Sequence, residues 1–411
     1  MENRGRGDPP AGGVLRGQPA GADPPGRRTG GLHVVQIGSD DSVFEPAAPS
    51  DTRRRQRLYG QLLAERRPGS QLTYLVLTKR TGATAFQDGN VTFQPVPGVG
   101  PQRWRQLWAA LLELRRRQPP AVVATQTIFT DAWLALLAGW PGRFPVVGQI
   151  HFDLYAPAAL AENLGPGRGA RWRLALALRL LGRLAAVRVV GRRLEARLRA
   201  EGRSRQIHVL PVPVTLTMPV TTAAAPRRPC VLFVGRLVPA KNLAAWLRVA
   251  ARVRAAAPEV EFEWAGDGPL RDTLGAEAER LGLRTGFRLR GAVPHDALPA
   301  LYQNAAVVLL TSHYEGFGRV AVEAGLAEVP VVAPQLTGVE DIVVSGETGF
   351  LHALGDEAGL AASVVWLLQH PAQRAQMGRA ARERVRQLYD PQRLADAWVS
   401  LLISAAEGTL T

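Results

Sequence analysis

Glu315 and Glu323 stand eight residues apart, and the step Gly316-Phe317-Gly318 follows the first directly. An apolar run, Val307–Leu310, leads into Glu315 through a short polar turn. A helical pattern then carries Glu323. That order predicts two acids and an uncapped helix N-terminus at the carboxyl end of a strand. Open α/β sheets bind ligands at that end. Helix N-termini attract phosphate, because their first amides lack internal partners and the macrodipole is positive there. Carboxylates accept hydrogen bonds from hydroxyls. The ligand this implies carries phosphate and several hydroxyls, as a nucleotide-sugar does. Two acids around a helix start are common in themselves; further motifs in the same half of the chain give them weight.

One such motif is VLFVGRLVPAKN, beginning at Val231. Gly235 lets backbone approach a ligand closely. Arg236 offers a planar fork to phosphate oxygens and Lys241 a point charge. Two cations at a strand's end can neutralise a diphosphate and stabilise it as a leaving group. Only Lys79 and Lys241 are lysines among the 50 basic residues. A lysine kept where nearly every cation is arginine hints that its compact ammonium is needed.

The stretches GRLVPAKN, AGDGP (Ala265–Pro269) and EGFGRVAVEA (Glu315–Ala324) resemble the retaining GT-B glycosyltransferases of glycosyltransferase family 4. The likeness continues through TGVEDIVVSGETGFL, Thr337–Leu351, and is weaker in the first half of the chain. The resemblance implies an α/β protein of GT-B fold, with two Rossmann-like domains facing across a cleft. It implies transfer from a nucleoside-diphosphate sugar to an acceptor hydroxyl of a glycan, glycolipid or small molecule, with retention of configuration. Glu315 would contact the donor sugar and Glu323 the ribose hydroxyls. Arg236 and Lys241 would hold the diphosphate. Amides near Gly316, Phe317 and Gly318 would lie by sugar and phosphate, and the base near Arg290–Val293.

In VVGQIHFDLYA, His151 follows an apolar run and should stand at a strand end facing the crevice. It resembles the family's amino-domain histidine, which bonds the donor sugar near the reacting carbon; a structural histidine is the alternative. Asp153 suits either an acceptor hydroxyl or a loop cap. Gly38 ends the first strand, where many relatives have a Gly-Gly loop touching phosphate and acceptor. Here Asp40-Asp41 follow, without the Asp-x-Asp spacing of metal-dependent transferases. No octahedral oxygen set for Mg²⁺ is evident, and His208, His295 and His313 lack metal-ligand spacing. The expectation is no metal and no cofactor beyond the donor substrate.

The elements that must position these residues alternate between short apolar runs and amphipathic stretches, predicting parallel sheets covered on both faces. Residues 1–30, rich in Gly and Pro, predict a disordered tail. Residues 31–212 predict a Rossmann-like acceptor domain and 213–228 a linker. Residues 229–388 predict the donor domain, and 389–411 a final helix crossing back to the first domain.

Among 411 residues, no apolar run is long enough to span a bilayer. The start lacks a secretory segment. Cys230 alone allows neither an internal disulfide nor a cysteine-based zinc site. These features predict a cytoplasmic protein. The formal charge is +15. From 166 to 205, twelve arginines face two glutamates, interleaved with Trp172 and leucines. This segment fits either a core-packed helix with a solvated face or one lying on an anionic membrane surface. A nucleotide-sugar-processing enzyme and a non-catalytic basic binding module are the competing classes; no RNA-type aromatic motif or zinc finger supports nucleic acid as a partner.

Overall fold

The computed structural model describes residues 30–45, 50–140, 142, 144–165, 167–204, 206–216, 218 and 229–410. The expected tail, up to residue 29, and most of the expected linker lie outside the described residues.

The first domain alternates β1 (His33–Gly38), α1 (Asp51–Arg66), β2 (Gln71–Thr78), β3 (Phe86–Asp88), β4 (Val91–Pro97), α2 (Gly100–Arg117), β5 (Val122–Ala124), α3 (Thr130–Ala138) and β6 (Val146–Ile150). It continues through α4 (Pro157–Leu164), α5 (Arg168–Leu180), β7 (Ala186–Val189), α6 (Arg192–Ala200) and β8 (Ile207–Val209). Its sheet runs β3-β4-β2-β1-β5-β6-β7-β8, parallel except for β3 against β4.

The second domain contains β9 (Cys230–Val234), α7 (Leu243–Ala256), β10 (Glu261–Ala265), α8 (Arg271–Arg280), β11 (Phe287–Leu289), α9 (Leu298–Asn304) and β12 (Val307–Leu309). Then come α10 (Arg319–Leu326), β13 (Val331–Pro334), β14 (Gly349–His352), α11 (Glu357–Gln369), α12 (Pro371–Leu388) and α13 (Pro391–Glu407). Its six-stranded parallel sheet runs β11-β10-β9-β12-β13-β14. This is a doubly wound order, and its direction reverses between β9 and β12. The ligand crevice of such a sheet opens at that reversal. The loop after β9 carries Arg236 and Lys241; the loop after β12 carries Glu315.

Buried strands explain the runs without alternation: β1, β7, β9 and β13 are buried at every residue. Between α7 and β10, Trp246 and Trp264 are fully buried with ring centroids 5.2 Å apart. Such a pair adds about 0.5–1.5 kcal/mol beyond its area. The Trp246 indole also donates to the Leu309 carbonyl at 3.0 Å, tying α7 to the end of β12.

Helix α13 begins at Asp390, whose side chain accepts from the Arg393 amide. It packs on α1 and the first sheet, where Trp398, Leu402 and Ala405 join a core with Val34, Tyr59 and Val122. Arg188, buried in β7, lies over the Trp398 ring at 4.7 Å. Its three nitrogens donate to the carbonyls of Leu210 and Pro211 and to Gln149 Oε1. A lone buried cation is costly; here carbonyl dipoles and an indole face offset that cost and pin the exit strand β8.

Candidate active site

The loop after β9 is shaped by backbone packing. A Cβ on Gly266 would sit 1.8 Å from the Gly235 carbonyl oxygen, and one on Gly268 would sit 2.5 Å from that of Leu237. AGDGP is therefore small so that two loops can lie backbone to backbone. Lys241 ends a 3-10 turn, and Asn242 follows at φ 47, a left-handed conformation that asparagine tolerates. The Thr311 hydroxyl donates to the carbonyls of both Lys241 and Asn242 at 3.1 Å, and the His313 amide donates to the Ala240 carbonyl at 2.9 Å. These bonds bring the two loops of the sheet reversal together.

Their side chains then meet. Lys241 Nζ donates to Glu315 Oε1 at 2.7 Å, and the Ser312 hydroxyl donates to the same oxygen at 2.6 Å. Among the described residues both contacts fall on Oε1, so Oε2 can accept from a sugar hydroxyl. An ammonium has three donors, so Lys241 can hold Glu315 and still bind phosphate.

Glu323 is held apart from that pair. It is nearly buried on α10, accepting from the Tyr302 hydroxyl at 2.7 Å and from Arg319 Nε at 2.6 Å. Arg319 also donates to Asp51, at the start of α1, at 2.8 Å and contacts His295 Nε2 at 2.8 Å. Asp51 further binds Arg55 and the Thr215 hydroxyl. Burial would raise the Asp51 carboxyl, but Arg55, Arg319 and Thr215 outweigh it and hold it below its ordinary value.

The structure thus pairs the expected residues separately, Lys241 with Glu315 and Glu323 with Arg319. Arg319 is the cation of Glu323 because residues four apart on a helix share a face. Arg236 is 77% exposed and points across the cleft toward Glu162 at 3.7 Å. After β11, where the resemblance put the base, Arg290 is paired with Glu263.

The cleft is closed. A Cβ on Gly316 would lie 1.9 Å from the His151 carbonyl oxygen. Gly318 caps α10 at φ 75 with no side-chain bond at the N-terminus, and the Phe317 ring packs inward against Tyr389 at 5.5 Å. The His151 ring is turned into a first-domain cavity with Arg55 and Arg188. Burial and those two cations lower its pKa to about 3, so it is a neutral imidazole at pH 7. Asp153 serves as a loop cap and a domain tie: Oδ1 accepts the Tyr155 amide and Oδ2 the Thr337 hydroxyl, both at 2.9 Å. Gly38 lies under the Tyr74 hydroxyl, which stands 1.8 Å from where a Cβ would be. Asp40 caps the turn after β1 by accepting from Ser42.

A cavity of 500 Å³ between the domains is lined by Glu315, Tyr314, His313, Thr337, Asp153 and Arg193, among others. Its size suits a ligand larger than one sugar ring. Among the described residues no group of three or more His, Cys, Asp or Glu could hold a metal ion. No helix among them is long and apolar enough to cross a membrane.

Arg319, Asp51, Tyr302 and Ser312 were not among the residues singled out from sequence. Ser312 and Arg319 had a local signal, three and four residues from an acid. Asp51 and Tyr302 had none, because their contacts join distant segments.

Comparison with known proteins agrees with this architecture. Residues 63–217 match the family described as Glycosyltransferase Family 4, and residues 218–384 match Glycosyl transferases group 1. The chain belongs to the group 1 glycosyltransferases and has the GT-B fold. It is 36% identical over 177 residues to a glycogen synthase of Mycobacterium tuberculosis, covering 43% of each chain. It is 33% identical over 131 residues to a 2-deoxystreptamine N-acetyl-D-glucosaminyltransferase of Niallia circulans, covering 32% of this chain and 34% of that one. The matched segment thus spans less than half of these curated relatives. Among solved structures, sucrose-phosphate synthase from Thermosynechococcus elongatus superposes with a TM-score of 0.77 at 20% identity, covering 92% of this chain and all of that one. Anabaena HepE in complex with UDP-glucose superposes at 0.69 with 18% identity, covering 91% and 100%.

Proposed function

We propose that this chain transfers a glycosyl group from a nucleoside-diphosphate sugar to an acceptor hydroxyl, with retention and without a metal ion. The Lys241–Glu315 contact at the reversal of the second sheet carries the reading. It sets a fixed cation and a hydroxyl-accepting carboxylate on one edge of a closed interdomain groove. The bond from the anomeric carbon to the leaving diphosphate breaks as the acceptor oxygen bonds to that carbon on the same face. The acceptor proton passes to the leaving diphosphate, whose charge Lys241 and Arg236 stabilise in place of a divalent ion. Glu323 accepts the ribose hydroxyls, exchanging part of its Arg319 contact. His151 meets the donor loop through its backbone carbonyl at Gly316, and closure excludes water.

The test is a melting-temperature screen with UDP-, GDP-, ADP- and dTDP-sugars, followed by product analysis. A UDP-sugar is a natural first choice, since HepE is described with UDP-glucose. We expect one nucleotide class to raise the melting temperature, turnover to survive EDTA, and proton NMR to show the donor's anomeric configuration kept in the product. An inverted product would rule out the retaining mechanism.

The acceptor side includes a candidate membrane contact. Helix α5 exposes Trp172, at 66%, among Arg168, Arg171 and Arg173. An amphipathic indole beside cations suits an anionic interface. Sedimentation with phosphatidylglycerol vesicles, lost in 0.5 M salt or on Trp172→Ser, is the expected behaviour; equal binding to neutral vesicles would oppose it.

A further inference from the structure

Both cations assigned to the diphosphate have carboxylate partners, and the two pairs differ in kind. Lys241 meets Glu315 within the second domain at 2.7 Å, and both side chains are largely buried. Arg236 meets Glu162 across the cleft at 3.7 Å, with its side chain 77% exposed and that of Glu162 37%. Among the described residues Glu162 is the one carboxylate paired with Arg236. A guanidinium this exposed is held loosely, so a better anion can take it. A diphosphate offers several oxygens to a planar fork, where Glu162 offers a single distant contact.

Glu162 is carried by a helix built to yield. α4 has eight residues, of which Ala159 and Leu164 are buried. Gly165 and Gly167 follow it at φ 79 and φ 93, conformations that glycine adopts without strain. A helix this short has little stability of its own. It lies against the turn Pro239–Lys241, so it covers the loop bearing both cations. Its first residues, Pro157 and Ala158, line the 500 Å³ cavity together with Tyr314 and Glu315. Tyr314 hydrogen-bonds Glu162 and Asn163, and burial together with the Glu162 contact raises the pKa of its hydroxyl. One acid on α4 therefore reaches both a phosphate cation and the residue beside Glu315.

We infer that Glu162 is a gating anion: it competes with the diphosphate for Arg236, holds α4 over the donor loop, and retakes Arg236 as the product diphosphate leaves. The inference rests on the transferase reading above and adds a regulatory residue to that site. It reverses the usual outcome of changing a residue at a binding site, since neutralising Glu162 should strengthen binding. Glutamine keeps the shape and can still accept from Tyr314; it removes only the charge. An exposed ion pair shifts an equilibrium by no more than a few-fold, which sets the scale.

The test uses the full chain and inorganic pyrophosphate, which carries the charge without a base. Melting-temperature titration should show Glu162→Gln binding pyrophosphate about two- to fivefold more tightly than the parent. Adding Arg236→Gln should abolish that gain. The nucleoside diphosphate of the donor found by the screen should gain likewise, and its nucleoside should not. Unchanged or weaker pyrophosphate affinity in Glu162→Gln, absence of pyrophosphate binding from every variant, a gain that survives Arg236→Gln, or an equal gain for the nucleoside would overturn the inference. Absence of any nucleotide-sugar shift in the parent protein would instead strike the transferase reading.

Discussion

Arg319 holds Asp51 across the cleft at 2.8 Å while its Nε holds Glu323 at 2.6 Å. One guanidinium thus couples the start of α1 in the first domain to Glu323 on α10 of the second. Asp51 also serves Arg55 and Thr215. Truncation leaves two partly buried cations without their shared partner. Asp51→Ala should cost about 2–3 kcal/mol in urea unfolding and raise the KM for donor. A loss under about 0.5 kcal/mol, the level of an exposed pair, would show that the contact does not hold the closed form.

Lys241→Ala should lower kcat by about 10²–10³, the scale for removing one fixed donor to developing charge. Lys241→Arg should not restore it, because the planar fork cannot fill an ammonium's place between Glu315 and phosphate. Circular dichroism would check folding in each variant. Near-native turnover in the alanine variant would refute the diphosphate role.

Gly316→Ala tests closure sterically. Its new methyl would overlap the His151 carbonyl oxygen, a backbone atom that cannot rotate aside. The domains must separate, so transfer should fall at least about 100-fold through loss of alignment. On the proposed reading the second domain binds the nucleotide, so nucleotide affinity should change little. Small-angle scattering should show a larger radius of gyration, and an unchanged radius with full activity would contradict the closed geometry.

Acid should destabilise the fold through its histidines. Burial is the leading cause that lowers His33, His151, His208 and His295 below the ordinary 6.5, with His151 at about 3. Below pH 6.5 the unfolded chain therefore binds protons that the native state refuses. Stability is fully present above that pH and declines as pH falls toward 3. The Asp51 carboxyl, held below its ordinary 3.8, contributes stability that is full above that value and is lost as pH falls from there through its lowered native value. Urea midpoints at pH 7.5 and 5.0 should differ, and His151→Asn should reduce the difference. Equal midpoints would show that these imidazoles are solvated.

Trp398→Ala should destabilise the first domain by about 3–5 kcal/mol, since the ring is fully buried beneath Arg188. Chemical denaturation would measure it. A loss below 1 kcal/mol would mean that α13 does not complete that core.

Periodicity made most elements legible. Helices over 51–66, 357–369 and 371–388 follow from apolar spacing and caps, and the runs at 146–150 and 287–289 read directly as strands. β4 did not, because Pro95 and Pro97 argue against a strand. Its partner β3 pairs only with Val91–Phe93, so the prolines stand along an open edge. α6 was hidden by dense arginines that blur a 3.6-residue period. Short α4 and α9 offered too few turns to read.

The sequence by itself determined the two sheets and the loops bearing Lys241 and Glu315. Burial patterns and glycine spacing are local properties, and they survive in a linear text. Only the tertiary structure decided that Glu323 pairs with Arg319, that Asp51 reaches across the cleft, and that Glu162 meets Arg236. Those relations join residues remote in the chain, and their energies depend on distance and exclusion of water, which residue order does not encode.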